Sequence, residues 1–333
     1  MSFLNITDRT DEYFKNIKLI TSDEINNLVS MNDAVHAMQQ AFSSYSDGKS
    51  HVPQRYVSAI DDTNMDLFFK PAYSKDLERI ALKILTQNNK KEQSNMPSIL
   101  GVVLLLDMKT GVVLSMMDGA YITALRTGAA SGIATKYLAR EDAETLAVFG
   151  CGAQARTQIE AICTVRAIKR VMLYDINVNA AAQLKSYLTD RFNGSIQIEK
   201  DLRNLKQADI ICTITNAETP LFSFNDISKG VHINAVGSYK PNMQEIDPQI
   251  IKESLLYVDS RTSVLKEAGD LLKPMNSKIF THDVIKAEIG DLCNDKVSGR
   301  TIDKEITIFK SVGLGVQDLY VANEVYNKYS QKE

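Results

Sequence analysis

The sequence predicts an α/β fold, a doubly wound parallel sheet joined to a second region built from helix and antiparallel sheet. Three observations carry this. From residue 145 onward, short apolar runs alternate with helical patterns, the order that a parallel sheet with crossover helices needs. Between Gly48 and about residue 116 the pattern is strand-like instead, punctuated by Pro53, Pro71 and Pro97. A long Gly/Ala-rich stretch, 118–139, links the two regions. At 333 residues the chain is long enough for two domains, and it contains no internal repeat.

Residues 1–20 carry little pattern and are expected to form a partly ordered arm. Asn32 or Asp33 is expected to cap a helix in which Val35, Met38, Phe42 and Tyr45 recur at spacings of three and four, and Gly48 ends it. Residues 102–106 and 112–116, separated by Asp107-Met108-Lys109-Thr110-Gly111, read as a β-hairpin. Residues 118–139 read as one helix, with Ile122, Leu125, Ile133 and Tyr137 set among small residues that let neighbouring backbones approach closely. Later strands are expected at 196–200, 209–213, 231–236, 255–259 and 306–309. The last helix, 313–329, has Val316, Leu319, Ala322 and Tyr326 on one face, following Val312. A terminal helix after the last strand is free to return to the first region and make it discontinuous.

The first functional signal lies in residues 145–175. An apolar run, Leu146-Ala147-Val148-Phe149, ends in Gly150-Cys151-Gly152-Ala153-Gln154-Ala155, and a helical pattern then leads to a second apolar run closed by Asp175. Strand, glycine turn, helix, strand and acid is the order of a dinucleotide-binding unit. Gly150 permits the tight turn, Gly152 lets the backbone approach a pyrophosphate, and Ala155 lets the helix pack on the strand. Free N–H groups at the helix start then face the phosphates. Glycine turns after strands are common for structural reasons alone; here the strand, the helix and the acid all agree. A carboxylate at the end of the second strand binds ribose hydroxyls and repels a 2′-phosphate. Ile176-Asn177-Val178-Asn179 offers that phosphate no cation, so NAD(H) is expected over NADP(H). The bland alternative is that Asp175 caps the helix that follows.

Bulk composition excludes several classes. Hydrophobic residues at 44% and charged residues at 24% suit a soluble globular enzyme. A net charge of −3 gives no electrostatic footprint for nucleic acid or an anionic membrane. No run nears the ~20 apolar residues of a membrane span, and the polar, acidic N-terminus lacks a signal-peptide pattern. Cys151, Cys163, Cys212 and Cys293 are scattered, as expected of a reduced cytoplasmic protein. His36, His51, His232 and His282 are too dispersed for a metal cage, so no metal is expected.

Three cations sit where apolar groups are expected. Lys83 shares a strand face with Ala81 and Leu85, Arg55 shares one with Val57 and Ala59, and Arg126 lies inside the Gly/Ala-rich helix. Singly, each is best read as snorkelling to solvent or paired with a structural carboxylate. Together, they suggest a shared anion such as a substrate carboxylate.

These segments resemble the ornithine cyclodeaminase/mu-crystallin family over essentially the whole chain. The resemblance lies in IALKILT around Lys83, GVVLLLDMKTG, MDGAYITALRTGAASGIATKYLA, FGCGAQA, VHINAVGS, AEIGDL and FKSVGLGVQDL. It implies a Rossmann-type domain, residues 126–313 with the bridging helix, inserted into an α/β catalytic and dimerisation domain of residues 1–125 and 314–333. It also implies a homodimer. Arg55 and Lys83 match residues that hold a substrate carboxylate, and Arg126 matches an arginine where substrate and cofactor meet. Ser98 and Thr127 match cofactor contacts. Gly150, Gly152, Ala153 and Gln154 match the pyrophosphate turn, and Asp175 the ribose acid. Thr213 and Thr215 follow the fourth strand, Ala235, Val236 and Gly237 approach the nicotinamide, and Ser311 and Gly313 match a loop that closes over that ring.

One departure bears on the chemistry. Cyclodeaminases and related alanine dehydrogenases carry an aspartate near the reacting amine, in the loop where this chain reads Gly237-Ser238-Tyr239-Lys240-Pro241. Tyr239 stands in that place. Cyclodeamination oxidises an amine and must manage its proton, whereas an already protonated C=N needs chiefly a hydride and a bound carboxylate. The bland reading of Tyr239 is an aromatic packed over the cleft, with Glu245 or water in the proton role. The loop and its continuation, Ser238-Tyr239-Lys240-Pro241-Asn242-Met243-Gln244-Glu245, resemble the Δ1-pyrroline-2-carboxylate (ketimine) reductase branch of the family, and that resemblance implies NAD(P)H-dependent reduction of a small cyclic imine acid. Δ1-Pyrroline-2-carboxylate would give L-proline, and Δ1-piperideine-2-carboxylate would give L-pipecolate. The rivals are ornithine cyclodeaminase, an alanine- or opine-type dehydrogenase, and a non-catalytic crystallin-like binder. Retention of Arg55, Lys83 and Arg126 counts against the last.

Overall fold

Two sheets organise the chain in the computed structural model, which describes residues 13–61, 63–88 and 97–332. The first contains β1 (Lys18–Ile20), β2 (Ser50–His51), β3 (Tyr56–Ile60), β4 (Met65–Ser74), β5 (Arg79–Asn88), β6 (Ile99–Asp107) and β7 (Val113–Asp118). Its order is β1-β7-β6-β5-β4-β2, with β3 also on β4. All its pairs are antiparallel except β1 on β7. The β6–β7 hairpin lies where the sequence predicts one. Part of the expected arm is instead the edge strand β1, whose three residues are too few to show a period. Residues 1–12 lie outside the described residues.

The helix Met31–Ser46 begins earlier than expected, because Ser30 and neither Asn32 nor Asp33 is its cap. Ser30 Oγ accepts from Asp33 N at 3.2 Å while the Asp33 carboxylate accepts from Ser30 N at 2.9 Å, a reciprocal capping box. The central helix, Gly119–Leu138, is capped by Asp118 and buried on nearly every side. Its small residues are what allow this. A Cβ on Gly128 would lie 2.4 Å from the Thr157 carbonyl oxygen on the helix Ala153–Val165.

The second sheet is parallel throughout. It contains β8 (Thr145–Phe149), β9 (Arg170–Tyr174), β10 (Ser195–Ile198), β11 (Ile210–Thr213), β12 (His232–Ala235), β13 (Ser254–Val258), β14 (Ile285–Glu288) and β15 (Ile306–Lys310). Its order is β10-β9-β8-β11-β12-β15-β13-β14. Both faces are buried, as a parallel sheet requires. Ala147, Ile211 and Ile233 pack on one side, and Leu146, Val148, Ile210 and Cys212 on the other. Strand β14 was not anticipated. It is four residues long and carries Lys286 on its exposed side, so it lacks an apolar run.

The C-terminal helix, Gly315–Ser330, starts two residues later than expected, leaving residues 311–314 as a loop. Its first half is buried all round rather than on one face, and it packs on Met31–Ser46, β4 and β5. The last helix therefore does return to the first sheet. No helix among the described residues is long and apolar enough to cross a membrane.

Candidate active site

The strand order reverses between β8 and β11, and ligands of open α/β sheets bind outside the strand ends at such a point. A cleft of about 390 Å³ opens there and extends beneath the first sheet. At the glycine turn Gly150 adopts φ +96° and its N–H donates to Tyr174 O. The helix Ala153–Val165 starts at Gly152 with no side-chain cap, and a Cβ on Gly152 would meet nothing within 4 Å. Uncapped N–H groups therefore face open space, the arrangement that receives a pyrophosphate. Gln154 Oε1 is buried without a partner beside it. Asp175 accepts from Cys151 N at 2.6 Å and Asn177 N at 2.7 Å, which ties the turn to the end of β9. It does not cap the next helix; Asn177 does. The residues present fit a dinucleotide cofactor.

The opposite wall carries the cations. Lys83 is fully buried and donates to Asp318 Oδ1 at 2.6 Å and Thr123 Oγ1 at 3.0 Å. Arg126 places Nε 3.3 Å from the same carboxylate oxygen and donates through Nη1 to Gln317 Oε1 at 2.9 Å. Burial pulls the Lys83 ammonium down to about 8, with Asp318 opposing the fall and Arg126 adding to it. Burial pushes Asp318 up, but Lys83, Arg126 and Lys70 outweigh it and hold the carboxyl below its ordinary value. Arg55 pairs with Glu267 and donates to Val312 O at 3.4 Å. It precedes β3 rather than alternating within it. Val57 is exposed and Ala59 shares that exposure, so the shared buried face expected for Arg55 is not there.

Three buried carboxylates hold the loops at the strand ends. Glu245 accepts from Thr213 Oγ1, from Thr215 N and Oγ1, and from the N–H groups of Gly237 and Ser238. Burial, then Asp270, raises its pKa, and Lys310, followed by the two Thr215 donors, opposes the rise. Satisfied in this way beneath the loop, Glu245 is a clamp rather than a group aimed at the cleft. Asp259 accepts from Ser311 Oγ and from the N–H groups of Val312 and Gly313. Asp270 accepts from Glu245 N, Ile246 N and Lys310 Nζ. Gly313 sits at φ +81°, and a Cβ there would lie 2.7 Å from Arg126 Nη1. Tyr239 faces the cleft, its hydroxyl bonded to the Gln87 amide.

The cleft gathers Arg55, Lys83, Ser98, Arg126, Thr127, Gly152, Ala153, Gln154, Thr215, Val236, Gly237, Tyr239, Ser311 and Gly313. Gly150, Asp175, Thr213 and Ala235 do not line it. Thr213 turns its hydroxyl to Glu245, and Ala235 packs into the apolar core. Sequence reasoning missed Asp318, Gln317, Glu267 and Lys70. The signal that singled out Lys83 was available for Lys70, a cation alternating with Phe68 and Ala72 in β4. No sequence signal pairs Asp318 with Lys83 across 235 positions. No His/Cys/Asp/Glu group suited to a metal occurs among the described residues.

A profile of the ornithine cyclodeaminase/mu-crystallin family matches residues 16–333. The Δ1-pyrroline-2-carboxylate reductase of Bacillus cereus is 38% identical over 312 residues, which cover 93% of this chain and 96% of that one. Among solved structures, the Δ1-pyrroline-2-carboxylate reductase of Thermococcus litoralis in complex with NADH and L-proline superposes with a TM-score of 0.91. It is 35% identical and covers 95% of this chain and 98% of its own. An archaeal alanine dehydrogenase dimer with bound NAD has a TM-score of 0.89 at 32% identity, covering 95% and 97%. The chain thus belongs to the ornithine cyclodeaminase/mu-crystallin family.

Proposed function

We propose that this protein is a reductase that uses NADH to convert a small cyclic 2-carboxy imine, Δ1-pyrroline-2-carboxylate above all, into the corresponding cyclic L-amino acid. One observation carries the reading. A single cleft has an uncapped glycine-turn helix on one wall and a cluster of buried cations on the other, with no acid in the Tyr239 position. Bound nicotinamide supplies the hydride. Lys83, Arg126 and Arg55 orient the carboxylate and compensate its charge, and orientation of this kind is where the protein contributes most to such a step. Tyr239, held by Gln87, closes the side facing the first sheet. Glu245 and Asp259 keep the loops at Gly237 and Gly313 in place.

Asp175 supports NADH over NADPH. Its carboxylate lies at the end of β9, and the exposed Ile176 and Val178 beyond it bring no cation. The domain division we favour is residues 1–125 with 314–333 against 126–313, since the C-terminal helix packs on β4 and β5. We also read the protein as a dimer through the outer face of the first sheet. There Leu19, Met116, Leu104, Leu82 and Pro71 form one cross-strand row over five strands, and none of them is buried. Sedimentation should show twice the 37.1 kDa chain mass; a monomer at micromolar concentration would defeat the dimer.

The test of function is absorbance at 340 nm with pyrroline and piperideine carboxylates and both reduced cofactors, beside L-ornithine with NAD. Reduction of a cyclic imine acid is expected. Ammonia and proline from ornithine without imine reduction would instead mark a cyclodeaminase, and no turnover of any substrate would mark a binding protein.

A further inference from the structure

We infer that Lys70 is a further substrate-binding residue, receiving the substrate's carboxylate together with Arg55 where the cleft opens into a side cavity. The inference rests on the reading of this cleft as a substrate site.

It begins with strand register. Lys70 lies directly opposite Lys83 in the β4–β5 pair, and both side chains are on the buried face. Like charges in that position repel, and a buried charge without a partner costs more still. Lys83 is compensated by Asp318 at 2.6 Å, Arg126 shares that carboxylate, and Arg55 pairs with Glu267. Asp259 is taken by Ser311, Val312 and Gly313. Lys70 is only 9% exposed, yet it has no hydrogen bond or ion pair with any described residue. Four basic side chains, Arg55, Lys70, Lys83 and Arg126, therefore share two carboxylates, Asp318 and Glu267. The cluster lacks an anion, and Lys70 is the member with none.

Space for that anion exists in two cavities that Lys70 lines. Lys70 and Arg55 line the main cleft and also a side cavity of about 150 Å³ whose walls include Gln54, Thr262, Ser263 and Lys266. The groups facing Lys70 are Arg55 ahead of β3, Lys83 on β5, Arg126 on the central helix and Asp318 on the C-terminal helix. Glu267 adds a further carboxylate. Burial, then Arg55, Lys83 and Arg126, hold Lys70 well below the ordinary lysine range, with Asp318 opposing. An arriving carboxylate reverses the local field, so binding draws a proton onto Lys70.

Calorimetric titration of L-proline into the NADH-loaded protein tests this, run near neutral pH in two buffers of different ionisation enthalpy. Wild type should take up protons as proline binds, in the direction that a depressed Lys70 regaining its charge requires. Lys70→Met fills the same strand position with an apolar side chain and should bind proline about ten- to a hundredfold more weakly, the loss of one charge-assisted contact. Its proton uptake should fall, its NADH affinity and its affinity for pyrrolidine, which has no carboxylate, should match wild type, and its melting temperature should be at least that of wild type, since an unpartnered buried amine is removed. Wild-type proline affinity and proton uptake in Lys70→Met overturn the inference. A wild-type protein that binds proline in this way but reduces no cyclic imine sinks the catalytic reading and leaves Lys70 standing.

Discussion

Replacing Asp318 with asparagine removes one charge at nearly constant volume and leaves Lys83 and Arg126 facing each other without a carboxylate. The Asp318 and Lys83 side chains are each 1% exposed and 2.6 Å apart, so water cannot substitute. Breaking a buried pair by deleting one partner costs about 3–5 kcal/mol. We therefore expect a loss of about 3–5 kcal/mol at pH 7, a large part of the about 5–15 kcal/mol that folds a typical domain. The sign of the pH dependence follows. A base whose folded pKa is depressed destabilises the native state at low pH, and the penalty fades as pH rises toward the unfolded value. At pH 9.5 the wild-type Lys83, titrating at about 8, has largely lost its own pair, so the difference between the two proteins should shrink. Urea denaturation of both proteins at pH 7 and 9.5 measures the difference. A difference below about 1 kcal/mol at pH 7, where an exposed pair would fall, or one that does not shrink at pH 9.5, refutes the reasoning.

Two further outcomes follow from the site. Because Lys83 loses its proton near about 8, kcat/KM for an imine acid should fall above that pH and hold below it. In Lys83→Arg, whose guanidinium does not titrate there, the fall should move upward; an unmoved limb would assign it to another group. Asp175→Ala should erode the preference for NADH by about tenfold, through the lost repulsion of a 2′-phosphate. A wild-type preference for NADPH would refute the reading of Asp175.

What the sequence disclosed divides along a physical line. The glycine turn was legible because its chemistry is local: a strand, two glycines and an uncapped helix start lie within one short segment. Lys83 and Arg126 were legible as charges in apolar surroundings. Their compensation was not, because Asp318 and Glu267 reach their partners across 235 and 212 positions. Lys70 went unread because Pro71 follows it and breaks the look of a central strand, although β4 runs through that proline. Thr213 and Ala235 end the right strands, but which face a residue at a strand end presents depends on register, and both turn away from the cleft. The cap at Ser30 was missed for a smaller reason. Asp33 reads as a cap in its own right until its partner three residues earlier is recognised.

The central claim is that this cleft delivers a hydride from reduced nicotinamide to the carbon of a carboxylated imine. NMR of the product from Δ1-pyrroline-2-carboxylate and NADH carrying deuterium at both C4 positions tests it most directly. The product should be L-proline with deuterium on Cα. Proline without deuterium, or an imine left unreduced while the cofactor binds, contradicts it.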